Sequence, residues 1–156
     1  MDEASELVLR GKGEAMGFEH LAWLFTNDHR NRGICRLDFD EAALLYRMVT
    51  QTSGPILEIG RRLAGSTVLL AEASGGVTGT RRIVSLDIAP AHDAYAERYL
   101  NQDGVRERMD LRVTDSRLPL SEGERFGLVF IDGDHSYEGV LADTLTHWSS
   151  LEEHDG

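Results

Sequence analysis

The 156-residue sequence predicts an α/β fold built on a parallel sheet, and three observations carry that prediction. After Gly54-Pro55, short aliphatic runs alternate with helical stretches, the pattern of strands joined by crossover helices. The last such stretch places Tyr137, Val140, Leu141, Thr144, Leu145, Trp148 and Leu151 in one stripe at three- and four-residue spacing, which marks a helix. The length suits one domain with a sizeable core.

Taken in order, residues 1–53 read as an N-terminal helical cap. "EAMGFEHLAWLF" sets Phe18, Leu21, Ala22, Leu24 and Phe25 at helical spacing. A second helix follows Asp38 or Asp40 and carries Ala43, Leu44, Tyr46, Arg47 and Met48. The polar segment "TNDHRNRGICR" lies between them, and its His29, Arg30, Arg32 and Arg36 read as a solvated loop. Residues 54–156 then supply "ILEIG", a helix from Ser66, "RIVSLD", a helix after Pro90, "DLRVTD", "FGLVFIDGD" and the last helix from about Tyr137. "ASGGVTGT" is a glycine-rich connection. "GLVFID" is left at a sheet edge, so either further chain or a second copy pairing along this fourth strand is expected to cover it.

Charge and cysteine usage narrow the function. Sixteen basic against 27 acidic residues give a formal charge of −11, which disfavours a nucleic-acid partner. Cys35 is the single cysteine, excluding an intrachain disulfide and a cysteine-rich zinc site. No apolar run has the length of a membrane span and the N-terminus lacks signal-peptide character, so a cytoplasmic setting is expected. His20, His147 and His154 are expected at surface or boundary positions.

"ILEIGRRLAGST" asks what its glycines are for. It approaches the phosphate loop G-x-x-x-x-G-K-[ST], but Ser66 follows Gly65 where the phosphate-neutralising lysine belongs, which argues against nucleotide hydrolysis. The dinucleotide fingerprint also lacks its closely spaced first glycines, leaving a nicotinamide-dependent oxidoreductase as a disfavoured alternative. Strand, glycine turn, helix start and a second strand ending in Asp87 remain, and a carboxylate there can accept both ribose hydroxyls of an adenosine ligand. Alone, Asp87 reads equally well as a turn residue. Glu58, an acid inside an apolar strand, needs a polar or cationic neighbour, and the ammonium and sulfonium of S-adenosylmethionine would suit it.

"ILEIGRRLAGST", "IVSLDIAP" and "FGLVFIDGDHSYEGVLADTLTHW" together resemble the class I S-adenosylmethionine-dependent methyltransferases, in the group related to macrolide-sugar O-methyltransferases and cephalosporin-hydroxylase-like proteins. The resemblance covers about residues 54 to 151 and implies a Rossmann-like sheet of order 3-2-1-4, partial against the family's seven strands. It makes Glu58, Gly60 and Gly65 the methionine-side loop with Ser66 at the helix start, Asp87 the ribose ligand, and Asp115 and Ser116 the adenine-side residues. Ala64 departs from a position that is often glycine in this group, and Arg61-Arg62 are bulkier and more basic than usual.

"IDGDHSYEG" puts Asp132, Asp134 and His135 just past a strand end, where open α/β sheets bind ligands. Asp132 first and Asp134 second suit Mg²⁺, and His135 is the candidate catalytic base for a substrate hydroxyl. The resembling metal-dependent O-methyltransferases use a D-x-x-H arrangement of this spacing. Asp134 or Ser136 reads alternatively as a helix cap. The expected activity is methylation of a small-molecule or sugar hydroxyl. A catalytically incomplete cofactor-binding module that dimerises along the fourth strand is the alternative.

Overall fold

The computed structural model describes residues 21, 24, 25, 33–90 and 93–152. Most of the first expected helix, together with His20, His29, Arg30, Arg32 and His154, lies outside the described residues. Among the described residues no helix is long and apolar enough to cross a membrane.

Four strands, β1 (Ile56–Ile59), β2 (Ile83–Asp87), β3 (Met109–Val113) and β4 (Leu128–Ile131), form one parallel sheet of order β3-β2-β1-β4. The predicted class and order therefore hold. β1 is central, pairing Ile56–Ile59 with β2 on one side and β4 on the other, and all four of its residues are buried. This is why its sequence reads as a run of aliphatics rather than an alternation.

Helix α1 (Phe39–Gln51) begins where Asp38 stays extended and its amide donates to the Glu41 carboxylate at 2.9 Å. Its buried stripe is Ala42, Leu45 and Val49, at helical spacing. Helix α2 (Gly65–Ala73) is buried on nearly all sides, with only Glu72 of its residues less than fully buried. It lies between α1 and the sheet, which explains the apolar run Val68, Leu69, Leu70 and Ala71 at its middle. Helix α3 (Ala94–Leu100) starts at Asp93, whose carboxylate accepts the amides of Tyr95 and Ala96. Helix α4 (Tyr137–His147) starts at Ser136, whose hydroxyl accepts the Gly139 amide.

Alternation along the strands divides the interior. Ile56, Ile83 and Leu128 join α1 and α2 in the larger cluster, while Leu57, Ile59, Val84, Leu86 and Phe126 form a smaller one on the opposite face. Among the described residues β4 is an edge, as expected, and its start is partly covered. After α4 the chain returns so that the Phe126 amide donates to Ser150 O and the Glu152 amide to Phe126 O, a parallel bridge between Phe126 and Leu151.

The stripe that identified α4 faces outward. Tyr137, Val140, Leu141, Leu145 and Trp148 are all exposed, and the residues this helix turns inward are Asp143 and His147. The expectation of a surface or boundary His147 is thereby corrected: it is 2% exposed. Periodicity gave the helix and not the face it would bury, because the loop after β3 offers α4 polar partners rather than apolar ones.

Candidate active site

A cleft of about 1470 Å³ opens at the carboxyl ends of the four strands, with α1 along one side and α4 along the other. It gathers Gly60, Gly65, Ser66, Asp87, Asp115, Ser116, Asp132, Asp134 and His135. Of the residues the sequence singled out for a site, Glu58 alone does not line it.

Glu58 lies beneath the cleft floor with no exposed surface. Its carboxylate accepts Ser66 Oγ and Thr67 Oγ1, each at 2.6 Å, and Ser85 Oγ at 2.5 Å. Burial pushes its pKa up, against the pull of those three hydroxyls and of Arg61. The partner that an acid in an apolar strand requires is thus a set of hydroxyls from α2 and β2. Through Ser66 and Thr67 it fixes the first turn of α2, whose Gly65 and Ser66 face the cleft.

The turn between β1 and α2 is held by backbone geometry. Gly60 has φ +92°, and a Cβ there would come within 2.3 Å of Asp132 O, so the turn passes directly against the end of β4. Gly65 packs on the segment before α1, where a Cβ would meet Cys35 N at 2.4 Å. Ala64, noted as a departure from glycine, adopts φ +66°. Arg61 and Arg62 separate in role. The Arg62 side chain is exposed while its amide donates to Asp87 Oδ2 at 2.7 Å; the Arg61 guanidinium is buried and donates to Ser85 O, Ala89 O and Arg112 O.

Asp87 ends β2, and its other oxygen accepts the Ala89 amide at 2.9 Å. It is therefore a turn residue and a cleft residue together. Asp115 pairs with Arg117, Oδ2 to Nη2 at 2.6 Å, and this contact brings its pKa down to about 2. Ser116 Oγ donates to the buried Asp143 at 2.6 Å, and His147 Nε2 lies 2.7 Å from Ser116 O. Asp143 and His147, one helical turn apart, anchor the β3 loop to α4. The sequence signal for them was an acid and a histidine four residues apart beside an apolar stripe.

Past β4, Asp132 Oδ1 and His135 Nε2 stand 3.5 Å apart, with the His135 side chain 80% exposed. Burial raises the Asp132 pKa, with His135 acting against it and Glu41 of α1 with it. Asp134 lines the cleft as well, while its Oδ1 accepts the Ser136 amide at 2.9 Å, just before the Ser136 cap of α4. Of the two residues read as possible caps of α4, Ser136 is the cap, and Asp134 accepts the amide of that cap residue. Among the described residues no group of three or more His, Cys, Asp or Glu side chains is arranged to hold a metal ion.

Several known proteins with related sequence or fold are methyltransferases. A catechol O-methyltransferase of Mycobacterium tuberculosis is 37% identical over 81 residues, covering 51% of this chain and 36% of the relative. The chain thus spans about a third of the curated relative it matches. Among solved structures, CalS11, a TDP-rhamnose 3'-O-methyltransferase of calicheamicin biosynthesis, superposes with a TM-score of 0.58 at 24% identity, covering 96% of this chain and 70% of that one. The glycopeptide N-methyltransferase MtfA, complexed with (S)-adenosyl-L-methionine, gives a TM-score of 0.54 at 19% identity over 71% of this chain and 50% of that one. At these identities the structural likenesses establish the fold, and they include both oxygen and nitrogen methylation. A family model described as "Methyltransferase domain" matches residues 57–154, more than half of the sequence, and the chain belongs to that family.

Proposed function

We propose that this chain binds S-adenosylmethionine in the cleft and serves methyl transfer to the hydroxyl of a small molecule or sugar. The observation that carries the reading is that one cleft collects the glycine turn, the acid ending β2, the β3 loop and the Asp132–His135 pair. The cofactor fits what is present. Asp87 offers lone pairs to ribose hydroxyls, Asp115 and Ser116 flank the adenine side, and the start of α2 at Gly65–Ser66 presents a helix N-terminus suited to the methionine carboxylate. Glu58 acts from below by fixing that helix start. When bound, the cofactor supplies an electrophilic methyl group on sulfur.

The rest falls to side chains past β4. His135, exposed and beside Asp132, takes the proton from the acceptor hydroxyl, and Asp132 stabilises the imidazolium that results. Asp132 is also the single carboxylate that would anchor Mg²⁺, an ion that usually takes one or two protein carboxylates and would lower the acceptor hydroxyl's pKa. Asp134, engaged with the Ser136 amide, is not counted in that set.

Isothermal titration with S-adenosylhomocysteine, with and without Mg²⁺, tests the reading. Binding is expected, whereas absence of binding, or preferential binding of NADH, overturns it. A second reading, a cofactor-binding module that pairs with another copy along β4, is favoured by the uncovered edge beyond the Phe126–Leu151 bridge and the outward apolar stripe of α4. A stable dimer that binds S-adenosylhomocysteine and shows no turnover would select it.

A further inference from the structure

We propose that Arg61 is a positioning residue for the cofactor: a buried guanidinium that ties the turn after β2, on the ribose side of the cleft, to the end of β3, from which the adenine-side loop leaves. The inference rests on the cofactor reading above and adds a residue that neither the chemistry of the glycine turn nor the acids of the cleft required. Arg61 leaves the turn after β1 and is 2% exposed. One terminal nitrogen, Nη1, donates to Ser85 O at 2.7 Å inside β2. The other, Nη2, spans Ala89 O at 3.2 Å and Arg112 O at 3.3 Å.

The location of those two carbonyls gives the contact its meaning. The β2–β3 ladder ends at Asp87 and Val113, and one further backbone bond, Thr114 N to Asp87 O, follows. Beyond it no backbone pairing joins the Asp87 turn to the Asp115 loop among the bonds described. Arg61 adds a side-chain tie there: Nη2 bonds Ala89 O, two residues past the end of β2, and Arg112 O, still inside β3, so the Asp87 turn is fastened to the strand that carries the Asp115 loop. The same guanidinium is linked through Ser85 Oγ, at 3.3 Å, to the Glu58 carboxylate that holds the start of α2. One cation therefore couples three walls of the cleft. Its burial is offset electrostatically by Glu58 and Asp87.

A purely structural arginine provides the comparison. Arg108 is also buried, donates to Ala71 O, Gly76 O, Arg81 O and Ser74 Oγ, and does not line the cleft. The experiment uses the full chain with Arg61→Met, Arg61→Lys and Arg108→Met, S-adenosylhomocysteine titration, thermal melting, and amide exchange over residues 87–90 and 113–117. If loss of the clamp leaves about one-tenth of the molecules with both loops in place, Arg61→Met weakens binding about tenfold. Arg61→Lys should recover part of that, exchange in the two loops should quicken, and Arg108→Met should lower the melting temperature while leaving affinity intact. Unchanged affinity in Arg61→Met, or an equal loss in Arg108→Met, overturns the proposal. Should the native chain bind no S-adenosylhomocysteine, the cofactor reading falls, and the exchange arm still decides the clamp: loops as protected in Arg61→Met as in the native chain overturn it.

Discussion

The loops after β1 and β4 touch at Gly60 and Asp132, yet they are built on opposite terms. Behind the first, Glu58 and Arg61 are buried and bonded to hydroxyls and carbonyls of neighbouring elements. The second presents Asp132 and an exposed His135 at 3.5 Å, with few bonds to fix them. A binding wall gains from being rigid before the ligand arrives, since ordering it later would reduce affinity. A proton-transferring group must reach its substrate and must keep access to water or to a second group. The difference teaches that support and chemistry are separable here: substitutions behind β1 should be felt in folding and in cofactor binding, and substitutions past β4 in turnover.

The strongest test of that separation is Glu58→Leu. It leaves Ser66, Thr67 and Ser85 hydroxyls without their acceptor in a buried site. At about 1–3 kcal/mol for each unsatisfied group, a loss of about 3 kcal/mol or more is expected in chemical denaturation. A loss below about 1 kcal/mol would break the comparison from the β1 side. Next in size, Asp132→Asn and His135→Ala should each lower methyl transfer by about 10²-fold or more while leaving the melting temperature near that of the native chain. A folding defect as large as that of Glu58→Leu would break it from the other side.

Glu58 also sharpens the contrast through pH. Its folded pKa is raised by burial, so the native state holds the proton more tightly than the unfolded chain, where the group titrates near about 4.3. This contribution to stability is fully present below the unfolded pKa and is lost as the pH rises through the folded one. Glu58→Gln should flatten that decline in denaturation midpoints taken across the range, and an identical slope in both proteins would contradict it. The smallest effect is expected at Ala64, held at φ +66°. Glycine relieves about 1 kcal/mol of left-handed strain and returns part of it as unfolded-state entropy, so Ala64→Gly should gain roughly 0.5 kcal/mol by the same measurement.

How far the sequence reached differs between these regions for a physical reason. Strand ends are marked locally, by an aliphatic run meeting glycine or acid. That is why Gly60, Asp87, Asp115, Asp132 and His135 are legible in the sequence, and why they meet in one cleft. The departure at Ala64 was legible too, although its left-handed backbone was not. What the buried groups bond to was hidden. Glu58 was matched with a cationic ligand because burial of an acid demands a partner, and three hydroxyls from α2 and β2 satisfy that demand equally well.

The sequence by itself determined the alternation of strands and helices, the parallel class, and which side chains stand at the carboxyl ends of the strands, because each follows from local periodicity and the direction of the chain. Tertiary structure alone decided that Arg61 would tie the turn after β2 to β3, that Asp134 would bond the amide at the start of α4, and that α4 would face inward with Asp143 and His147 while its apolar stripe turned outward. These choices depend on which hydrogen-bonding groups the neighbouring elements bring within reach, and separation along the chain carries no record of that.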